Sequence, residues 1–302
     1  MHRLSRTLPF LLAASLLFPA CEVINPAEEL PAYISFQDPV VEAPDDSSFT
    51  SNSGIRNLWL YHDGFLQGAY QLDPEVDTNG RVVPFLQLAA SDFFIDGGIY
   101  ESGQSAFQIV YPFWDRIHFD WAATVGDTLV VTPRFKYIQS DLYDMPVSVT
   151  FEGGGFDFDS FGSGFNTDNT FINIQSNDVY RGNGSGRIDF SNGHRYFEVI
   201  NTEPFNSIQA ANIFAEITYK SNIPFTVGLI YGSTTDPNRY PILTVSPSGK
   251  WNTVYVHMIT EVRAILNQLG TDTDLWLWIK ADGENQDGYI LLDDVRVIKE
   301  KA

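Results

Sequence analysis

The sequence contains one cysteine, Cys21, and few basic side chains. A single cysteine excludes an internal disulfide and any metal cluster held by several thiolates. Only 18 lysines and arginines stand against 38 aspartates and glutamates, so the formal charge is -20. Such a surface repels phosphate backbones, which excludes nucleic acid as a partner. The five histidines never fall at the i, i+4 spacing of a helical zinc motif.

Apolar runs long enough to cross a bilayer are missing after the start of the chain. A membrane-spanning helix needs about 20 apolar residues. At the start, Arg3 and Arg6 precede a shorter, largely apolar run over residues 8–18. A basic start followed by such a run is typical of a cleaved secretion signal. Residues 1–20 are therefore predicted to be a signal peptide.

The signal ends in Leu17-Phe18-Pro19-Ala20-Cys21, which resembles the lipobox of bacterial lipoproteins. The resemblance implies that Cys21 carries acyl chains and attaches the protein to the outer membrane or cell surface. Each buried CH₂ contributes about 0.8 kcal/mol, so several chains would hold it stably. The alternative is an ordinary signal with an incidental cysteine, although an unpaired thiol is a liability in an exported protein. Residues 21–31 are predicted to form a tether.

The remainder predicts an all-β protein of two domains. Aromatic residues, which favour strands, make up 14% of the chain, and turn residues separate many short apolar runs. We expect an N-terminal β-sandwich over 32–137, a linker over 138–146 and a β jelly roll over 147–302. One helix is predicted at 260–269, capped by Thr260 and ended by Gly270, with an apolar stripe. That stripe consists of Val262, Ile265, Leu266 and Leu269.

The first domain carries several recognisable segments. His62-Asp63-Gly64 lies between two apolar runs, which predicts a tight hairpin turn. Around it, LWLYHDGFLQGAYQL, VVPFL, FFIDGGIYESG and YPFWDRIHFDW together resemble an N-terminal domain of Bacteroidetes surface lipoproteins and the small PEGA-type β-domain. The resemblance implies a β-fold and an envelope location, and no chemistry.

Three segments of the second domain, VTFEGGG, VYRGNGSGRIDF and GYILLDDVRVI, occur in an order that resembles the galactose-binding-like jelly rolls. That family includes many carbohydrate-binding modules. The resemblance implies a structural calcium ion held by Glu152 and Asp293, completed by backbone oxygens around residues 182–185. Asp294 should matter less, because neighbouring strand residues point to opposite faces. The alternative is that Asp293 and Asp294 merely end a strand pair at the surface.

A polysaccharide ligand would need aromatic side chains for stacking. Trp276 and Trp278 alternate with leucines, so both share one face of a strand. That face could be a sugar platform or the sandwich core, and the core is the commoner outcome. Tyr231 and Tyr240 are weaker candidates for ligand binding.

No catalytic motif is present: the sequence lacks a Gly-x-Ser-x-Gly elbow, a His-Glu-x-x-His helix and a phosphate loop. Asp157 and Asp159 are the best carboxylate pair, but alternation with phenylalanine is typical of a half-exposed edge strand. We therefore expect a non-enzymatic surface lipoprotein that binds glycan. The alternatives are a structural or protein-interaction component of the cell envelope, and a carbohydrate-active hydrolase or lyase.

Overall fold

The structure, a computed structural model, describes most of the chain after the predicted signal and tether. The described residues are 30–52, 54–72, 80–86, 90–154, 156–159, 170–191, 193–206, 210–232, 236–270, 273–283 and 286–301. Cys21 lies outside them. They fold almost entirely into β-strands with one α-helix, which confirms the all-β prediction. Among these residues, no helix has the length and apolar character needed to cross a membrane.

The N-terminal domain consists of short strands in three small sheets. Its strands are β1 Ala32–Phe36, β2 Val40–Glu42, β3 Thr50–Ser51, β4 Asn57–His62, β5 Phe65–Gln71, β6 Arg81–Phe85, β7 Ala90–Tyr100, β8 Gln108–Val110, β9 Ile117–Ala122, β10 Thr128–Val131 and β11 Arg134–Phe135. The sheets run β10-β1-β6, β11-β2-β3 and β5-β4-β7-β8, and β9 also pairs with β7. The predicted hairpin is confirmed: β4 and β5 meet at Asp63 and Gly64, which both have positive φ.

The C-terminal domain is a two-sheet sandwich. Its elements are β12 Tyr143–Val149, β13 Phe158–Asp159, β14 Asn173–Gln175, β15 Ser185–Phe190, β16 Tyr196–Asn201, β17 Ile213–Ser221, β18 Phe225–Gly232, β19 Pro237–Val245, β20 Ser248–His257, α1 Ile259–Leu269, β21 Leu275–Asp282 and β22 Gly288–Glu300. The front sheet has the order β14-β15-β22-β17-β20, with β12 also on β22. The back sheet has the order β13-β16-β21-β18-β19. Apolar side chains from both sheets fill the space between them.

Two predicted boundaries differ from the structure. Helix α1 begins at Ile259 and its N-cap is Met258, so the prediction that Thr260 caps it is wrong. Met258 is fully buried and its N–H donates to the carbonyl of Ile213, so packing rather than a polar cap sets the start. Leu269, predicted to lie on the apolar stripe, is exposed.

Strand β12 starts at Tyr143, inside the predicted linker, because it pairs with the last strand.

The N-terminal domain covers the outer face of the front sheet. Phe214, Tyr255 and Ile298 from that face belong to the hydrophobic cluster of the N-terminal domain. At the same interface, the hydroxyls of Tyr111 and Tyr137 donate to the buried carboxylate of Glu216. Burial raises the pKa of Glu216 despite these bonds. The outer face of the back sheet lies on the opposite side of the sandwich.

Candidate functional site

The two predicted tryptophans lie on the outer face of the back sheet. In β21, Leu275, Leu277 and Ile279 point into the sandwich, so the intervening Trp276 and Trp278 point away from it. They form a separate apolar cluster with Ile200 and Ile230 of the neighbouring strands. Their exposures are only 6% and 4%. The two tryptophan rings are therefore buried beneath this face, and they do not offer an open surface on which a sugar could stack.

A polar cluster lies beside them, made of Tyr196, Glu198, Arg239 and Trp278; we call it the Glu198 cluster. The carboxylate of Glu198 is fully buried and accepts hydrogen bonds from three side chains. The Trp278 indole N–H donates at 2.7 Å, the Tyr196 hydroxyl at 2.9 Å and the Arg239 Nε at 2.6 Å. Because burying an unpaired charge is costly, these donors explain how the carboxylate is tolerated on an apolar face.

The electrostatics fix the protonation of this cluster. Burial and the hydrogen bond to Glu198 raise the pKa of Tyr196 well above its usual range, so its hydroxyl stays a donor at neutral pH. The hydrogen bond to Glu198 raises the pKa of Arg239. Both side chains therefore keep one charge state at neutral pH, and their hydrogen bonds to Glu198 hold their orientation.

The part of the face that solvent reaches contains an aromatic ring and two cations, with the carboxylate of Asp282 nearby. The Lys280 ammonium lies 5.0 Å from the centre of the Tyr196 ring, and both side chains are half-buried. The Arg239 side chain is 37% exposed. A phenol ring can stack on the apolar C–H face of a sugar, and the two neighbouring cations can donate hydrogen bonds to its hydroxyl groups.

The other two predicted aromatic residues do not join this cluster. Tyr231 packs against the sandwich core. Tyr240 lies on the edge strand β19 opposite Leu229, whose side chain points into the sandwich, and it is 36% exposed. Sequence reasoning missed Tyr196, Glu198 and Arg239. The sequence of β16 could have indicated Glu198, because it is the one charged residue in a largely apolar strand.

Glu152 and Asp293 both hold the loop at 180–184, but through its N–H groups. Glu152 Oε1 accepts from the backbone N–H of Asn183 at 2.9 Å and of Gly184 at 3.2 Å. Asp293 Oδ2 accepts from the N–H of Tyr180 and of Arg181, each at 3.2 Å. Gly182 has a φ of 70°, which favours glycine, and a Cβ there would lie 2.2 Å from Glu152 Oε1, so the Glu152 side chain would have to move.

This geometry does not fit the calcium ion that the resemblance implies. Calcium takes six to eight oxygen ligands, whereas the loop offers hydrogen-bond donors to both carboxylates. Within the described ranges, no group of three or more acidic, histidine or cysteine side chains is placed to hold a metal ion. In this structure the two carboxylates therefore act as anchors for the loop.

The anchor at Asp293 should make stability pH-dependent. Burial, with the neighbouring charge of Asp294, raises the pKa of Asp293 to about 7. An unfolded aspartate has a pKa of about 3.9, so between these values the folded state binds more protons and stability falls as pH rises. The melting temperature of the wild type should therefore fall from pH 5 to pH 8 relative to that of Asp293→Asn, which cannot titrate. Parallel melting profiles across this range would contradict the assignment.

Asp157 and Asp159 lie at the edge of the back sheet. Phe158 between them is buried, whereas both aspartates are exposed. Strand β13, which contains Asp159, pairs only with β16 in the described part of the chain. Their alternation is accounted for by the exposed and buried sides of an edge strand.

Comparisons with known proteins concern the fold. No protein family and no curated protein matches this sequence. Among solved structures, it is similar to the C-terminal family 22 carbohydrate-binding module of Clostridium thermocellum Xyn10B, with 14% identity over 53% of this chain and 96% of the module, at a TM-score of 0.34. The CBM22-1 xylan-binding domain of Paenibacillus barcinonensis Xyn10C has 12% identity over 54% of this chain and 99% of that domain, at a TM-score of 0.34. The family 11 carbohydrate-binding module of Clostridium thermocellum Lic26A-Cel5E has 11% identity over 54% of this chain and 97% of that module, at a TM-score of 0.36.

Proposed function

We propose that this chain is a non-enzymatic, lipid-anchored surface protein whose C-terminal jelly roll binds a glycan. Cys21 would carry the lipid, and the N-terminal PEGA-like domain would hold the jelly roll away from the membrane. The binding surface would be the outer face of the back sheet around the Glu198 cluster. The observation that carries the proposal is that a buried carboxylate fixes a tyrosine and an arginine on this face.

The position of this face also supports the proposal. The N-terminal domain packs against the outer face of the front sheet, so among the described residues its core cluster lies on the side of the sandwich away from the outer face of the back sheet. Rings and donors that are already fixed lose little conformational entropy when a ligand binds. An exposed arginine fork and a lysine can both donate to hydroxyl oxygens.

Binding should depend on the Tyr196 ring. In affinity electrophoresis against a panel of neutral polysaccharides, Tyr196→Ala should weaken binding at least about tenfold, which corresponds to about 1.4 kcal/mol. Tyr289→Ala is the matched control. The guanidinium of Arg187 lies 5.1 Å from the centre of the Tyr289 ring, a contact similar to that of Lys280 with Tyr196. Tyr289, however, belongs to the front sheet. The control variant should bind as the wild type does.

Equal retention of the two variants would contradict this placement of the site, provided that their melting temperatures match. Retention of neither the wild type nor the variants by any polysaccharide would favour the protein-interaction alternative. One feature supports that alternative: at the tip of the β4–β5 hairpin, Phe65 is 75% exposed and Leu66 is 49% exposed. Adjacent exposed apolar side chains can form part of a contact site for another protein.

A further inference from the structure

A recess lies between the two domains, away from the outer face of the back sheet. Its volume is about 440 Å³, within the range of ligand pockets. Arg56, Tyr100 and Gln104 line it from the N-terminal domain, and Asn252 and Leu243 line it from the jelly roll. We call this recess the interdomain cleft.

The walls of the interdomain cleft are joined by main-chain contacts. The N–H of Ser102 donates to the carbonyl of Tyr255 at 2.9 Å, and Glu101 forms a parallel bridge with the same residue. His257 Nδ1 lies 2.5 Å from Glu101 Oε1. Gly54 packs so closely on the Tyr255 ring that a Cβ would lie 2.3 Å from its hydroxyl oxygen. The cleft is therefore formed before any ligand arrives.

Arg56 is the charged residue of this cleft. Its guanidinium donates to Asn252 Oδ1 and lies 5.7 Å from the centre of the Tyr100 ring. Within the described residues it makes no ion pair, although acidic residues outnumber basic ones by 38 to 18. By contrast, Arg181 and Arg296 at the same interface both contact carboxylates.

The rest of the cleft lining is neutral. No acidic side chain is among the described lining residues. A guanidinium has five N–H donors, and the Asn252 bond uses one of them. The remaining donors match the two oxygens of a carboxylate, which arginine binds as a fork. Amide and hydroxyl groups such as those of Gln104 and Ser102 match sugar hydroxyls.

We infer that the interdomain cleft binds a saccharide that carries a carboxylate, with the carboxylate on Arg56. This site goes beyond the proposed function, because it needs both domains and uses none of the Glu198 cluster. A single arginine among neutral polar groups suits one negative charge surrounded by hydroxyls. Apolar contact would come from Leu243 and Val254 on the opposite wall.

Titration calorimetry on the full mature chain tests this inference with a trisaccharide that carries one galacturonate unit and with the methyl ester of that unit, which has the same saccharide chain and no charge. The wild type should bind the acid at least about tenfold more tightly than the ester. Arg56→Met should abolish that preference, and Arg56→Lys should retain only part of it, because lysine lacks the fork. Arg134→Met removes an exposed charge, paired with Glu42 outside the cleft, and should not change the preference for the acid.

Two further variants keep the test decisive. Gln104→Trp should obstruct the exposed mouth of the cleft and weaken binding without altering Arg56. Tyr196→Ala should leave binding of this acidic trisaccharide intact, so loss of the outer-face site and loss of the cleft are distinguishable. Equal affinity for acid and ester, absence of acid binding, or an unchanged preference in a folded Arg56→Met protein would overturn the inference. If Arg56→Met does not fold, undiminished acid binding by Gln104→Trp would overturn it.

Discussion

Replacing Asp294 by asparagine should lower the free energy of unfolding by about 3 kcal/mol or more, because it breaks a buried charge network. Asp294 Oδ1 accepts from Arg181 at 2.6 Å and from Arg296 at 2.8 Å. Asp294 and Arg296 are both nearly inaccessible, at 3% and 6% of their side-chain surface. Asparagine retains an acceptor and tolerates the positive φ of 43° at this position, so the loss reports the charge.

The matched control is Asp189→Asn. Asp189 also pairs with an arginine, Arg187, but its side chain is 55% exposed. Exposed pairs contribute about 0–1 kcal/mol, so this variant should unfold almost as the wild type does. Denaturant titration of both variants measures the difference. Equal stability of the two would show that the buried network contributes no more than a surface pair.

Replacing Cys21 by serine should move the protein from the membrane fraction to the soluble or unprocessed fraction. The physical reason is that acyl chains supply the proposed attachment, and serine offers no sulfur for them. Fractionation of cells that express each form, with labelled palmitate as a second readout, checks this. Ser15→Ala changes the apolar run but leaves the cysteine, so it should remain anchored and labelled. Complete membrane retention of a cleaved Cys21→Ser protein would contradict the proposed lipid anchor.

The strands that could be predicted from the sequence are those with local signals. The β4–β5 hairpin follows from Asp63 and Gly64, because the turn needs positive φ at both positions. The terminal strand β22 follows from its long apolar pattern, and the face shared by Trp276 and Trp278 follows from simple alternation. These signals depend only on neighbouring residues.

The features that could not be predicted depend on contacts between distant residues. Glu198 meets Arg239 across 41 positions of sequence, so no local pattern places that pair on one face. A register irregularity separates Asp293 from Val295, and Asp294 at this point has positive φ. Simple alternation therefore could not reveal the ion pairs of Asp294.

The division into two domains shows a similar contrast. The sequence places a linker at 138–146, yet Phe214, Tyr255 and Ile298 join the core cluster of the N-terminal domain. That the two halves fold separately stays a prediction. Separation would expose these three apolar side chains, which predicts lower stability for each half than for the whole chain.

The central claim, that the jelly roll binds glycan on the outer face of its back sheet, is tested most directly by hydrogen exchange. The mature protein should be compared with and without the polysaccharide that retains it best in electrophoresis. Binding there predicts slower exchange in β16 and β21, with the exposed strands of the N-terminal hairpin unchanged. Protection confined to that hairpin, or none in the back sheet at saturating polysaccharide, would contradict the claim.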